Sequence, residues 1–144
     1  MIEPVTMLNI DAALRVGRMM HAEGEYKSLP LDEAKLAKLC LNPAVFAVLW
    51  REGEEYLGGM LGLIAPHYFC DMLAAKDLAL YVDFRARGGV IAVRLIREFE
   101  KWAQARGAKE VYLSQSTGVA IDMTRQFYER LGYRTVGCVT KKEI

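Results

Sequence analysis

The run Arg87-Gly88-Gly89-Val90-Ile91-Ala92 sets two glycines and a fixed cation just before a stretch with helical periodicity. A helix N-terminus carries amide N–H groups without intrahelical partners and about half a positive charge, so a glycine turn entering it is suited to hold a phosphate. Alone, such a turn is more often structural, and neither the G-x-x-x-x-G-K-[ST] nor the G-x-G-x-x-G fingerprint is present. Other reactive residue types are spread along the chain. Asp77 and Asp83 bracket an apolar stretch, Phe127, Tyr128 and Tyr133 belong to the run Phe-Tyr-Glu-Arg-Leu-Gly-Tyr, His67 stands in the aromatic run Pro66-His67-Tyr68-Phe69, and Tyr26 lies in a polar loop. Cys40, Cys70 and Cys138 are odd in number, far apart and in apolar contexts, which predicts buried free thiols in a reducing compartment. Cys70 and Cys138 read as poor nucleophile candidates, with no cation adjoining either in sequence. No CxxC or Cys/His cluster points to a metal.

Periodicity supplies the elements that must hold these residues. Residues 77–84 alternate, with Leu78, Leu80 and Val82 on one side and Ala79 and Tyr81 on the other, which predicts a strand covered on both faces. Ala92, Leu95, Ile96, Phe99, Trp102 and Ala103 then recur at the spacing of an amphipathic helix running to Arg106. A strand over 110–114 and a helix stopped by Gly132 follow. Upstream, residues 4–9 alternate weakly as an opening strand. Asp11 reads as the N-cap of a helix through Glu23, and a second helix spans 32–41 before Asn42-Pro43. Residues 45–51 and 55–63 read as a hairpin about Glu52-Gly53-Glu54. Gly58, Gly59 and Gly62 in its second arm mark either a bulge or close backbone approach, or tight helix packing, and the pattern does not separate these. Residues 134–140 alternate as a last strand. The order is β-α-α-β-β-β-α-β-α-β, an α/β fold with a mixed sheet in one domain. The strands at 77–84 and 110–114 run parallel because a helix crosses between them.

The turn Arg-Gly-Gly-x-Ile-Ala, followed one strand later by a helix ending Phe-Tyr-Glu-Arg-Leu-Gly-Tyr, resembles the GNAT N-acetyltransferases over roughly residues 77–144. That family shows the same element order. The resemblance implies acetyl-CoA as cosubstrate and direct transfer of its acetyl group to a primary amine, of a small molecule or a peptide, in a ternary complex. It implies that the pantetheine arm lies along Leu80, Tyr81 and Val82, and that the pyrophosphate sits on Arg87, Gly88, Gly89, Val90, Ile91 and Ala92. Tyr128 matches the family's acid, although Phe127 and Tyr133 have equal claims by composition. Asp77 lies where the family often keeps a carboxylate and is the candidate base, water being the alternative; Asp83 reads as a turn cap. Tyr26, between the first two helices, and His67 are the candidate acceptor contacts, each with an ordinary loop role as its rival. Val90 replaces the family's middle glycine and Ile121 an asparagine, departures that keep open a non-catalytic module binding CoA or a protein.

Length and charge narrow the classes further. The 144 residues are 53% hydrophobic and 26% charged, with 19 basic against 18 acidic side chains interspersed, which disfavours nucleic acid and membrane surfaces as partners. The longest apolar stretch, residues 57–66, is too short to span a bilayer, and the chain opens without a basic and apolar leader, so the expected compartment is the cytoplasm. The acceptor's identity and the oligomeric state, a homodimer included, stay open.

Overall fold

The computed structural model describes residues 1–114 and 120–144. Its elements are β1 (Ile2–Pro4), α1 (Ile10–Glu23), α2 (Glu33–Cys40), β2 (Phe46–Glu52), β3 (Glu55–Pro66), β4 (Leu73–Val82), a 3-10 turn at Phe84–Ala86, α3 (Ile91–Ala105), β5 (Glu110–Tyr112) and α4 (Ile121–Arg130). The strands form one sheet in the order β1-β2-β3-β4-β5. All neighbours are antiparallel except β4 and β5, which the α3 crossover makes parallel.

Alternation along the strands divides the core between two faces. Phe46, Val48 and Trp50 of β2, Met60 of β3 and Ala75 of β4 meet Ile91, Leu95, Phe99 and Ala103 of α3. Phe99, Leu95 and Ile96 are fully buried, so each contributes roughly 2–3 kcal/mol of transfer free energy. The Phe99 ring stacks on Trp102 and tilts against Phe46, with centroids 5.7 and 5.1 Å away. On the other face Leu49 and Tyr81 meet Ala13 and Val16 of α1.

The glycines of β3 turn out to serve both roles that the sequence left open. A Cβ on Gly62 would stand 2.3 Å from Phe99 Cε2, so the missing side chain is what lets α3 lie close to the sheet. A Cβ on Gly58 would stand 2.5 Å from the Tyr81 carbonyl oxygen, a close backbone approach. Beside Gly62 the register shifts: Leu61 pairs with Ala79 and Gly62 with Asp77, so Leu78 is the extra residue of a β-bulge in β4.

Several expectations are corrected. The opening strand lies at Ile2–Pro4 rather than over 4–9, and α1 starts at Ile10, because Asn9 spends its side chain on Thr6 N–H and the Pro4 carbonyl. Asp11 is therefore a first-turn residue and not the cap. Strand β3 runs on to Pro66, and β4 begins at Leu73, where Ala74 and Ala75 are small enough to be fully covered. No strand forms over 134–140: all of residues 134–144 are exposed, so the alternation of Val136 and Val139 has no core to face. Of the thiols only Cys40 is buried; Cys70 and Cys138 are free and exposed.

Candidate active site

Pairing between β4 and β5 covers Ala74 to Lys76 against Glu110 to Tyr112 and goes no further. Strand β4 continues to Val82 along β3, so residues 77–82 have no strand partner on their β5 side among the described residues. The expected separation of two parallel neighbours is thus present. It begins one residue before the Leu78 bulge, which bends β4 and adds local twist. Backbone groups left unpaired along such a gap can receive an extended ligand as a further strand would be received.

Ser114 lies at the crotch of this fork. Its N–H donates to Asp77 Oδ1 at 2.9 Å, and its carbonyl accepts from the Tyr128 hydroxyl at 3.3 Å. Asp77 and Tyr128, 51 positions apart by their numbers, therefore meet on the backbone of one residue. Burial raises the Asp77 carboxyl above the usual carboxylate value, against the opposing pull of its bonds to Ser114. The Tyr128 phenol is pushed well above its ordinary value, first by burial and then by the neighbouring Asp77 charge. Tyr133, equally good by composition, is excluded by geometry from the same position, because its hydroxyl donates to Glu100 of α3 at 2.8 Å. Phe127 packs beside Tyr128, with ring centroids 5.8 Å apart, and has no proton to give.

The turn after β4 is built by its charges. Asp83, 1% exposed, accepts from Arg85 N–H at 3.0 Å and from the Arg85 guanidinium, and these bonds hold its carboxyl down to about 2. Asp83 is thus the turn cap that the sequence suggested. Gly88 follows with φ +82, a left-handed conformation natural to glycine, and nothing lies within 4 Å of where its Cβ would be. Helix α3 then opens at Val90, whose apolar side chain makes no capping bond. The first-turn amides of α3 are therefore left for a ligand or water.

Arg87 stands at this turn but is turned back along β4. Its Nε donates to the Val82 carbonyl at 2.8 Å, its guanidinium lies 5.5 Å over the Tyr81 ring, and Nη2 pairs with Glu23 at the end of α1. Glu23 also accepts from the Tyr81 hydroxyl at 3.2 Å. Of the predicted β4 residues, Leu80 and Val82 support the α3 face and Tyr81 the α1 face. An open hollow of about 460 Å³ borders Gly89, Val90 and Ile91 on the hairpin side, with Glu52, Glu55 and Arg85 on its wall.

The two candidate acceptor contacts are not brought together. Tyr26 is half exposed just beyond α1, with the Lys141 ammonium 5.1 Å above its ring. His67 is bound through Nε2 to Glu110 at 2.9 Å, where β4 and β5 are still paired, and not at the fork. Sequence reading missed Ser114 and Glu23. Ser114 acts through its backbone, which no residue pattern records, while Glu23 could have been flagged only as the acidic end of α1.

Residues 15–133 match the sequence profile of the acetyltransferase (GNAT) family. The fold is similar to that of an aminoglycoside acetyltransferase from an uncultured soil metagenomic sample, with TM-score 0.80 and 17% identity over 100% of this chain and 97% of that one. It is also similar to a ribosomal-protein-alanine N-acetyltransferase from Brucella melitensis biovar Abortus 2308, with TM-score 0.77 and 18% identity over 100% and 99% of the two chains. A transcriptional regulator from Bacillus halodurans C-125 shares the fold at TM-score 0.78 and 18% identity over 100% and 99%. Comparison with curated protein sequences finds no match.

Proposed function

Because this chain belongs to the GNAT acetyltransferase family, we propose that it transfers an acetyl group from acetyl-CoA to a primary amine by direct attack, as one catalytic domain. The carrying observation is the fork at residue 77, where β4 has no further strand partner on its β5 side among the described residues, just where Asp77 and Tyr128 converge on Ser114. Three features fit the coenzyme: a strand edge along residues 77–82 without a strand partner on its β5 side among the described residues, an unobstructed turn at Gly88, and a helix N-terminus without a side-chain cap.

Bound acetyl-CoA would supply an activated thioester. Leu80, Tyr81 and Val82 would hold the pantetheine arm by their main chain. The amides of Gly88, Gly89, Val90, Ile91 and Ala92 would hold the pyrophosphate. Arg87, already neutralised by Glu23, would add its charge only by leaving that partner. Asp77, a stronger base than an ordinary carboxylate because burial disfavours its charge, would take the proton that the acceptor ammonium must lose, directly or through water. Tyr128 stays protonated at neutral pH and would give its proton to the departing sulfur. Its present bond to Ser114, at 3.3 Å, is long and easily exchanged. Tyr26 and His67 stay as acceptor contacts.

The test is paired calorimetry and CoA release on wild type and Gly88→Glu, against a panel of amines. Wild type should bind acetyl-CoA and turn over at least one amine. Gly88→Glu, whose carboxylate would enter the pyrophosphate position and whose backbone is strained at φ +82, should lose binding. Absence of any CoA binding by wild type overturns the reading, and binding without turnover on any amine would make the chain a non-catalytic CoA-binding module.

A further inference from the structure

Arg87 adjoins the Gly88 turn in sequence, yet its side chain is drawn back along β4 by the Val82 carbonyl, the Tyr81 ring and Glu23. The first of these contacts falls on the edge that opens at the fork. Asp83 N–H donates to the Leu57 carbonyl of β3 at 2.8 Å, and the peptide groups of successive strand residues point to opposite sides. The Val82 carbonyl therefore faces away from β3, on the side where β4 has no strand partner beyond Lys76 among the described residues. Arg87 thus covers a main-chain acceptor of that edge. Glu23 holds it there from an unfavourable position. It is the final residue of α1, where the helix dipole disfavours an anion, and its carboxylate is kept by the Tyr81 hydroxyl at 3.2 Å and by Arg87. A charge set against its local preference marks a place where another requirement prevails.

We propose that Glu23 is a positioning residue that parks Arg87 over the β4 edge, so that its carboxylate and the pyrophosphate of the coenzyme compete for one guanidinium. This rests on the acetyl-CoA reading above and adds a residue that sets the affinity for that ligand. Departure of Arg87 uncovers the Val82 carbonyl for the pantetheine arm while it brings a cation to the turn, so one movement readies both parts of the slot. The pair is displaceable: the Arg87 and Glu23 side chains are 45% and 38% exposed, and pairs of this kind hold weakly and weaken with salt.

Acetyl-CoA binding is measured by calorimetry, at low and high salt, on wild type, Glu23→Gln, Arg87→Met and the double variant. Glutamine keeps an acceptor for the Tyr81 hydroxyl, takes an anion off a helix C-terminus and loses the charge that holds Arg87, so the fold is spared. Glu23→Gln should tighten acetyl-CoA by about two- to fivefold, the scale of one half-exposed ion pair, and the gain should shrink as salt rises. Arg87→Met and the double variant should bind alike, which neither a merely structural role of Glu23 nor its negative charge acting directly on the ligand would produce. Equal or weaker affinity of Glu23→Gln, or a gain that persists without Arg87, overturns the proposal and leaves the transferase reading standing. Absence of binding by all four proteins overturns that reading, and the proposal with it.

Discussion

Removing a single oxygen from Tyr128 separates the packing of this residue from its proposed chemistry. The side chain is 6% exposed, its ring lies 5.8 Å from Phe127 and 6.1 Å from Tyr133, and phenylalanine preserves all of that. What is lost is one hydrogen bond to the Ser114 carbonyl at 3.3 Å, so Tyr128→Phe should cost about 1 kcal/mol of stability or less. The kinetic cost should be larger. A positioned proton donor contributes about 10²- to 10⁴-fold, equivalent to about 3–5 kcal/mol of barrier. Burial and the Asp77 charge raise the phenol's pKa, so wild-type Tyr128 is protonated throughout the neutral range, and no acidic-donor limb should appear there in the pH profile. The assay is steady-state release of CoA thiol on the best amine, with acetyl-CoA affinity measured in parallel. The expected result is kcat down by on the order of 10² or more with KM for acetyl-CoA nearly constant. Turnover at the wild-type rate would refute the acid role, whatever the coenzyme affinity.

Two further substitutions test the frame that holds this site. Gly62→Ala would drive a Cβ to 2.3 Å from Phe99 Cε2 in the core and should lower stability by about 1–3 kcal/mol, read as a fall in denaturant midpoint; an unchanged midpoint would show that α3 does not depend on this contact. Asp83 has a carboxyl held at about 2 against an ordinary 3.8, so it favours the folded state above that ordinary value and loses its effect as pH falls toward 2. Asp83→Asn should therefore lower stability at neutral pH and flatten the acid limb between 3.8 and about 2, and a limb as steep as that of wild type would place the titration elsewhere.

Much of the scaffold was legible because it is written as periodicity. The α3 stripe through Leu95, Phe99 and Ala103 is buried as the spacing requires, and the parallel pairing of β4 with β5 follows from the crossover alone. Reading failed where alternation existed without a core to bury it, as over residues 134–140, and where small residues carried a strand, as at Ala74 and Ala75. Exposure of Cys70 and Cys138 was illegible for the same reason: an apolar neighbour in sequence is not a neighbour in space. Tyr128 could be proposed from its motif, but choosing it over Tyr133 needed the bond from Tyr133 to Glu100, 33 positions away.

The fork itself shows why the site was only half readable. Its position depends on Gly62, whose absent side chain admits Phe99 and whose register step against β4 leaves Leu78 as the bulged residue. A glycine at that position reads in sequence as a weak strand, equally compatible with a bulge or with a close helix, and in the structure it produces both at once. The bulge follows one residue after Asp77, the first residue of the gap, whose carboxylate accepts from the N–H of Ser114, two residues beyond the end of β5. The contact that seats α3 and the register step between β3 and β4 thus meet at one residue, Gly62. A change that lets β3 and β4 pair without the bulge would be expected to close the gap even with every named side chain in place.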